Sequence, residues 1–411
     1  MNAKRLLCTL LAALLLFSLC ACAPKQEAAE APAAAEAAEP TKPAETAGTA
    51  AEEAPSEQAP VTPDWNELVY DREMPLSYAT QFKVEYAGDS YKRITISDEK
   101  TTYLVVAENA PVPENVPADV TVLQQPFDHI YLVASAAMDN FAQLDAIDHI
   151  TLSGRKDTDW YIEAAAKAMQ DGKMVYAGKY SEPDYELIVS SGCDLAIENT
   201  MIYHSPEVLE KLQSLGIPVL VESSSYEEEP FGRMEWIKLY ASLLDLEDEA
   251  TALFDEKMAA VSSVLDQEPS GKSVVFFYIT SKGAVNVRKT GDYIAKSIVY
   301  AGGDYIGFDE DDDGSSQSTV NIQMEAFYAG AKDADLIIYN SIVDGELETI
   351  DELVALNPLL ADFKAVKDGN VWCLTKNFYQ ESFELGDLVL DVNEALTNPE
   401  SESLRFLRKM K

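Results

Sequence analysis

The sequence predicts an α/β protein made of two Rossmann-like lobes with mostly parallel sheets, joined by one long helix, with a ligand cleft between the lobes. Three observations carry this expectation. Short apolar strands alternate with helical stretches between residues 130 and 221, which is the pattern of a parallel sheet covered on both faces. A similar alternation restarts at Ser273. Between the two series, residues 246–267 hold neither Gly nor Pro and set Ala250, Leu253, Phe254, Met258, Val261, Val264 and Leu265 at helical spacing. At 1.5 Å per residue such a helix is roughly 30 Å long, the width of a small domain. Pro269 and Gly271 end it.

In the first series the expected strands are 130–133, 195–198 and 218–221, with helices at 138–144, 161–169, 183–190 and 206–215. In the second, the continuous apolar run 274–279 opens the lobe. Helix 293–300 follows and ends at Gly302-Gly303, then helix 322–331, strand 336–339, helix 350–356, strand 371–374 and a last helix near 388–396. Ahead of both series, three alternating runs at 82–86, 91–96 and 103–106 are separated by Gly88-Asp89 and Ser97-Asp98, which reads as a small β-meander.

The amino terminus has a different logic. Lys4 and Arg5 precede an apolar run at 6–19, too short to span a bilayer but long enough for a signal-peptide core. Leu19-Cys20-Ala21-Cys22 then sets Leu three residues before a Cys and a small residue directly before it. Lipoprotein processing needs this pattern, so Cys22 is the expected lipid-bearing residue. The competing reading is an ordinary cleaved signal with an incidental Cys. Residues 23–60 are rich in Ala, Glu, Pro and Thr and contain no aromatic residue. Such a stretch cannot bury enough apolar surface to offset the entropy of ordering it, and it reads as an acidic tether. The expected organisation is signal peptide 1–21, tether 22–62, first lobe 63–245 with the meander at about 78–108, connecting helix 246–268 and second lobe 269–411.

Composition narrows the function. The chain has 411 residues, 31 Lys plus Arg against 71 Asp plus Glu, and a net charge of −40. This argues against nucleic acid, or an anionic membrane surface, as a general partner. It leaves open an anionic small ligand that senses only the field of a pocket. Cys193 and Cys373 remain after Cys8, Cys20 and Cys22 are assigned to the signal and the lipid. Each sits beside an apolar strand and reads as a small buried hydrophobe. No Cys/His metal spacing occurs, and His129, His149 and His204 are scattered, so no metal site and no cofactor are expected. The acidic run 309–313 lacks the alternating spacing of a calcium loop and reads as solvated.

The two halves echo each other. Glu186 precedes a short helix, Gly192 and the strand Asp194-Leu195-Ala196-Ile197; Glu325 precedes a short helix, Gly330 and the strand Asp335-Leu336-Ile337-Ile338. Ser181 is the expected cap of the first helix and Asn321 of the second. The competing reading is that acidic residues simply suit helix N-termini.

Several stretches together resemble the iron–siderophore and cobalamin family of ABC-transporter substrate-binding proteins. Pro183-Asp184-Tyr185-Glu186-Leu187-Ile188 resembles its Pro-Asn-Leu-Glu segment, with Asp184-Tyr185 standing where the family has Asn-Leu. Leu215-Gly216-Ile217-Pro218-Val219 resembles the approach to its second strand. Ile298-Val299-Tyr300-Ala301-Gly302-Gly303 and Ala365-Val366-Lys367-Asp368-Gly369-Asn370-Val371-Trp372 resemble two later stretches. The resemblance covers residues 128–396; the meander lies outside it. It implies a monomeric extracytoplasmic lipoprotein on the outer face of the cytoplasmic membrane, which touches the membrane through its lipid alone. It also implies capture of a ferric siderophore, haem or a corrinoid between the lobes. Glu186 and Glu325, one per lobe, would dock on arginines of a permease dimer coupled to its ATPase.

In such folds the cleft is lined from the carboxyl ends of strands. That nominates Ser135 and Met138 after the first strand, then Tyr203 and His204, then Tyr226, and in the second lobe Thr280, Arg288, Asn340 and Tyr379. Trp160 and Arg233 are further candidates. Arg233 either holds an anionic chelate by paired hydrogen bonds, or pairs with Glu235 or caps local backbone. Three other classes compete. A free-metal receptor would need converging His and carboxylates, which scattered His residues disfavour. An exported enzyme would be expected to carry a nucleophile elbow, a zinc-protease motif or a phosphate loop, and none is present. A ligand sensor without a transporter would keep the cleft but not need the docking glutamates.

Overall fold

The computed structural model describes residues 62–97, 101–308, 318–343, 345–398 and 400–411. The expected signal peptide, Cys22, the expected tether to residue 61 and the acidic run 309–313 lie outside them.

The expected meander is part of a five-stranded accessory sheet. Its strands are β1 (Arg72–Glu73), β2 (Phe82–Ala87), β3 (Tyr91–Ile96), β4 (Thr101–Val106) and β5 (Val120–Gln124), in that spatial order. The first three pairings are antiparallel. The crossover from 107 to 119 lays β5 parallel to β4, a strand beyond the expected meander.

The first lobe follows. Its elements are β6 (Ile130–Leu132), α1 (Ser135–Gln143), β7 (Ile150–Ser153), α2 (Glu163–Gln170), β8 (Val175–Tyr176), a minor hairpin of β9 (Gly178–Lys179) and β10 (Glu182–Pro183), α3 (Tyr185–Ser190), β11 (Leu195–Asn199), α4 (Pro206–Ser214) and β12 (Val219–Glu222). The sheet runs β12-β11-β6-β7-β8 and is parallel throughout. Strand order reverses beside β6, so loops at its carboxyl edge diverge and leave a crevice there. Helices α5 (Pro230–Glu235) and α6 (Ile237–Leu244) lead to the long α7 (Glu247–Leu265), close to the expected limits.

The second lobe comprises β13 (Ser273–Ile279), β14 (Val285–Arg288), α8 (Tyr293–Tyr300), β15 (Asp304–Tyr305), β16 (Thr319–Ile322), α9 (Met324–Ala331), β17 (Leu336–Tyr339), α10 (Ile350–Leu356), α11 (Lys364–Lys367), β18 (Val371–Leu374), α12 (Leu385–Thr397) and β19 (Leu407–Lys409). Its centre, β13-β17-β18, is parallel as expected, but β14, β16 and β19 add antiparallel edges. The reason is local: Thr280 and Ala284 close a tight turn that sends β14 straight back along β13, with the Thr280 amide bonding the Ala284 carbonyl at 2.8 Å.

Both expected helix caps shift. Asp184, not Ser181, caps α3 by accepting from the Leu187 amide at 3.0 Å, because Pro183 is held in β10. Asn321 belongs to β16, where it accepts from Asn286 Nδ2 at 3.0 Å; Gln323 stands at the cap of α9 without a side-chain bond. Of the two cysteines, both free, Cys373 is buried while Cys193 is only half-buried, with burial pushing its thiol up to about 12.

Alternate side chains of each strand divide the interior. Val275, Ile337 and Cys373 face an outer core of the second lobe, while Val274, Phe276, Leu336, Ile338 and Trp372 face inward. The inward set joins Leu132, Ile197 and Leu220 of the first lobe, the helices α5 to α7, and Val84, Ile94 and Tyr103 of the accessory sheet in one continuous core. At the first-lobe edge, the Val221 amide of β12 donates to the Tyr103 hydroxyl at 3.0 Å, so the accessory sheet satisfies an edge strand that would otherwise expose its amides. Buried Lys92 of β3 reaches the Ser242 carbonyl, Asp245 and Glu247 at 2.6–2.7 Å, tying the same sheet to the α6–α7 corner.

Candidate functional site

The site begins with the carboxyl ends of strands in the second lobe. Asn340 follows β17 and is buried; its Nδ2 donates to the Tyr379 hydroxyl at 2.9 Å. Arg288, the last residue of β14, donates from Nη2 to the same hydroxyl at 3.1 Å. Tyr379 thus receives two donors on one oxygen. Arg288 Nη1 lies 3.3 Å from Asp292, which caps α8 by accepting from the Ile294 amide. Burial raises the Asp292 pKa, while the charges of Arg288 and Arg233 pull it down.

Arg233 meets this group from α5. Its guanidinium carbon stands 3.6 Å from the centre of the Tyr293 ring, and that of Arg288 stands 6.0 Å from the same ring. The alternative left open for Arg233 resolves toward backbone capping and stacking. Nε donates to the Glu227 carbonyl at 3.0 Å and Nη2 to the Ser225 carbonyl at 2.6 Å. Glu235 instead pairs with Lys238 at 2.8 Å, so it is not the partner of Arg233. Arg233 and Arg288 are both half-buried. Buried Glu222, at the end of β12, accepts from the Ser224 amide at 2.9 Å; burial raises its pKa, against the charge of Arg233.

The other nominated residues separate from this group. Tyr203 and Tyr226 are exposed and line a different cavity, between the first lobe and the accessory sheet. Met138 is fully buried in the shared core, since its position on α1 faces the inner packing. Trp160 is also buried, with its indole N–H on Ser153 Oγ at 3.1 Å. Thr280 is spent in the β13–β14 turn, where its hydroxyl bonds the Ala284 carbonyl at 3.1 Å. Ser135 opens α1 half-buried, and His204 is exposed at the end of the turn after β11.

Sequence reasoning missed three residues here. From sequence Tyr293 reads only as the start of a helix, although its place directly after Gly291-Asp292 could have marked it. Asp292 and Gln380 were missed as well. Gln380 joins the lobes: its Oε1 accepts from the Tyr161 amide and its Nε2 donates to the Asp159 carbonyl, both at 2.8 Å.

Glu186 and Glu325 each sit exposed in the first turn of a helix, α3 and α9, without an ion-pair partner among the described residues. No helix among the described residues is long and apolar enough to cross a membrane.

A family model described as periplasmic binding protein matches residues 133–377. The accessory sheet precedes that match. An uncharacterized lipoprotein of Methanocaldococcus jannaschii is 27% identical over 331 residues, covering 77% of each chain. Among solved structures, a possible iron-binding (periplasmic solute-binding) protein from Staphylococcus epidermidis aligns with a TM-score of 0.53 at 15% identity, over 67% of this chain and all of that one (100%). A periplasmic heme binding protein from Pseudomonas aeruginosa aligns with a TM-score of 0.51 at 17% identity, over 69% of this chain and 98% of that one. At such identities the two structures support the shared fold.

Proposed function

This chain belongs to the periplasmic binding protein family, and from that premise we propose that it is the extracytoplasmic substrate-binding lipoprotein of an ABC importer. In this reading it captures an anionic iron–siderophore-like chelate, or a related haem or corrinoid, between its lobes and hands it to a membrane permease dimer with its ATPase. The observation that carries the reading is the convergence of Arg233, from the first lobe, and Arg288, from the second, on the ring of Tyr293. In a chain of net charge −40, two half-buried guanidinium groups facing one aromatic ring are a local reversal of field. That reversal suits an anionic ligand with flat, polarisable surface, held by charge and by stacking. Tyr379, held by Arg288 and Asn340, adds a hydroxyl to the same group.

The remaining assignments complete the reading. Cys22 carries the lipid, and residues 22–62 are the tether that lets the body reach the permease. Residues 63–245 and 269–411 are the lobes, with 246–268 between them, and the protein acts as a monomer. Glu186 and Glu325, exposed and one per lobe, dock on cations of the permease.

Two measurements test this. A thermal-shift screen of the full chain against ferric chelates, haem and corrinoids should find a compound that stabilises by roughly 2.7 kcal/mol at a hundredfold excess over its dissociation constant. The shift should vanish in Arg233→Ala with Arg288→Ala. Silence across the panel, with a response to free divalent metals or glycans instead, refutes the ligand class. Separately, charge reversal with Glu186→Lys and Glu325→Lys should abolish uptake while leaving that shift intact; surviving uptake refutes the docking assignment.

A further inference from the structure

We propose that the accessory sheet gives this receptor a second binding surface: the cavity between its β2–β4 strands and the carboxyl ends of β11 and β12 takes an uncharged, hydroxyl-bearing ring. The cavity measures about 440 Å³, enough for one or two sugar-sized rings. From the sheet side it is lined by Gln81, Ser97 and Thr101; from the lobe side, Thr200 and Ser223 face them. Each is a neutral side chain able to hydrogen-bond a hydroxyl group. No charged residue is among the described lining residues, in a chain where one residue in four (25%) is charged.

Two tyrosines define the shape of the ligand. Tyr203 follows β11 and Tyr226 follows β12, and they are 54% and 60% exposed, the most open aromatic rings among the described residues. Large aromatic faces left open at the mouth of a cavity offer a flat apolar surface to a ring, while the neighbouring hydroxyls and amide take its polar edge. The walls are held before any ligand arrives. The Val221 amide is fixed on Tyr103, the Gln81 amide on Glu227 at 2.8 Å, and the Ser97 amide on the Gln81 carbonyl at 2.8 Å. A site whose walls are already bonded loses little entropy on binding.

The cavity shares one element with the arginine group. The turn at residues 223–226 lines the cavity on one side, and its Ser225 carbonyl accepts from Arg233 on the other. A ligand with an anionic head at the arginines and an uncharged ring limb would engage both. The cavity's own chemistry does not depend on that head.

The test uses the full chain labelled with ¹³C in its tyrosine rings, with Tyr203→Phe and Tyr226→Phe assigning the two signals. Maltose and adenosine serve as neutral hydroxylated ring probes, one a sugar and one a nucleoside, and citrate as the anionic control. The expected result is a saturable shift of both ring signals with at least one neutral probe. Affinity for that probe should fall at least tenfold in Tyr203→Ala with Tyr226→Ala, and in Gln81→Ala. No saturable shift with either neutral probe overturns the proposal. So does a response at these rings to citrate alone, or binding indifferent to the tyrosine variants. Failure of the importer reading shows elsewhere, as loss of the chelate response that depends on Arg233 and Arg288.

Discussion

Asp139 of α1, in the first lobe, accepts a hydrogen bond from the backbone amide of Phe383, in the second, at 2.9 Å. The carboxyl is buried, and burial pushes its pKa up to about 7, aided by the charge of Glu384 and opposed by its bonds to Gln143 and Phe383. In an unfolded chain the same group titrates near about 3.9, so the folded state holds its proton more tightly. Stability from that proton is fully present below about pH 4 and is lost as pH rises through about 7. An Asn accepts the amide bond with no proton to lose. Asp139→Asn should therefore gain on the wild type across that window, reaching roughly 2–4 kcal/mol above it. Urea unfolding of both proteins at several pH values reads the difference; a gap that does not change with pH refutes it.

Glu235, wholly buried on α5, gathers the amides of Ser77, Tyr78 and Ala79 at 2.8–3.0 Å and the ammonium of Lys238 at 2.8 Å. Its neighbour Glu227 does the same for Thr80 and Gln81, so two carboxylates clamp the segment between β1 and β2 of the accessory sheet. Glu235→Ala leaves three amide donors and one buried cation unmatched, at a cost of roughly 3–5 kcal/mol. Hydrogen exchange should show residues 77–79 losing protection before the second lobe does. Uniform loss across the chain, or none, contradicts this clamp.

Gly386, in the first turn of α12, lies where a Cβ would come within 2.9 Å of Val261 Cγ2 on α7 and 3.3 Å of Met234 Cε on α5. Met234 is flexible enough to move, but the branched Val261 is not, so the absence of a side chain lets the helices approach. Gly386→Ala is expected to destabilise by roughly 1–3 kcal/mol. Adding Val261→Ala restores space, so the double variant should cost less than the sum of the two single ones. Strict additivity in a denaturation cycle would remove the steric explanation.

Much of the fold was legible because it depends on local pattern. The strands at 130–132, 195–199, 274–279 and 336–339 and the long helix α7 appear where apolar periodicity put them, since burial on one or both faces writes directly into residue order. The added antiparallel edges β14, β16 and β19 were not legible. Whether a strand such as 285–288 returns beside β13 or crosses over depends on a five-residue turn and on what the sheet edge leaves unpaired. The caps of α3 and α9 failed for the same reason, as Pro183 and Asn321 were claimed by strands first.

For the candidate site, residue types at strand ends were readable, but their grouping was not. Arg288, Asn340 and Tyr379, nominated from three separate strands, meet on one hydroxyl, while Tyr203 and Tyr226, nominated by the same rule, open into another cavity. By itself the sequence determined the alternation of strands and helices, the apolar α7 between two lobes, and the acidic composition, because these follow from local periodicity and charge. The tertiary structure alone decided that Arg233 and Arg288 share Tyr293, that Glu235 clamps residues 77–79, and that a fifth strand completes the accessory sheet. Contacts between residues far apart in the chain depend on how packed elements orient one another, and no local pattern carries that information.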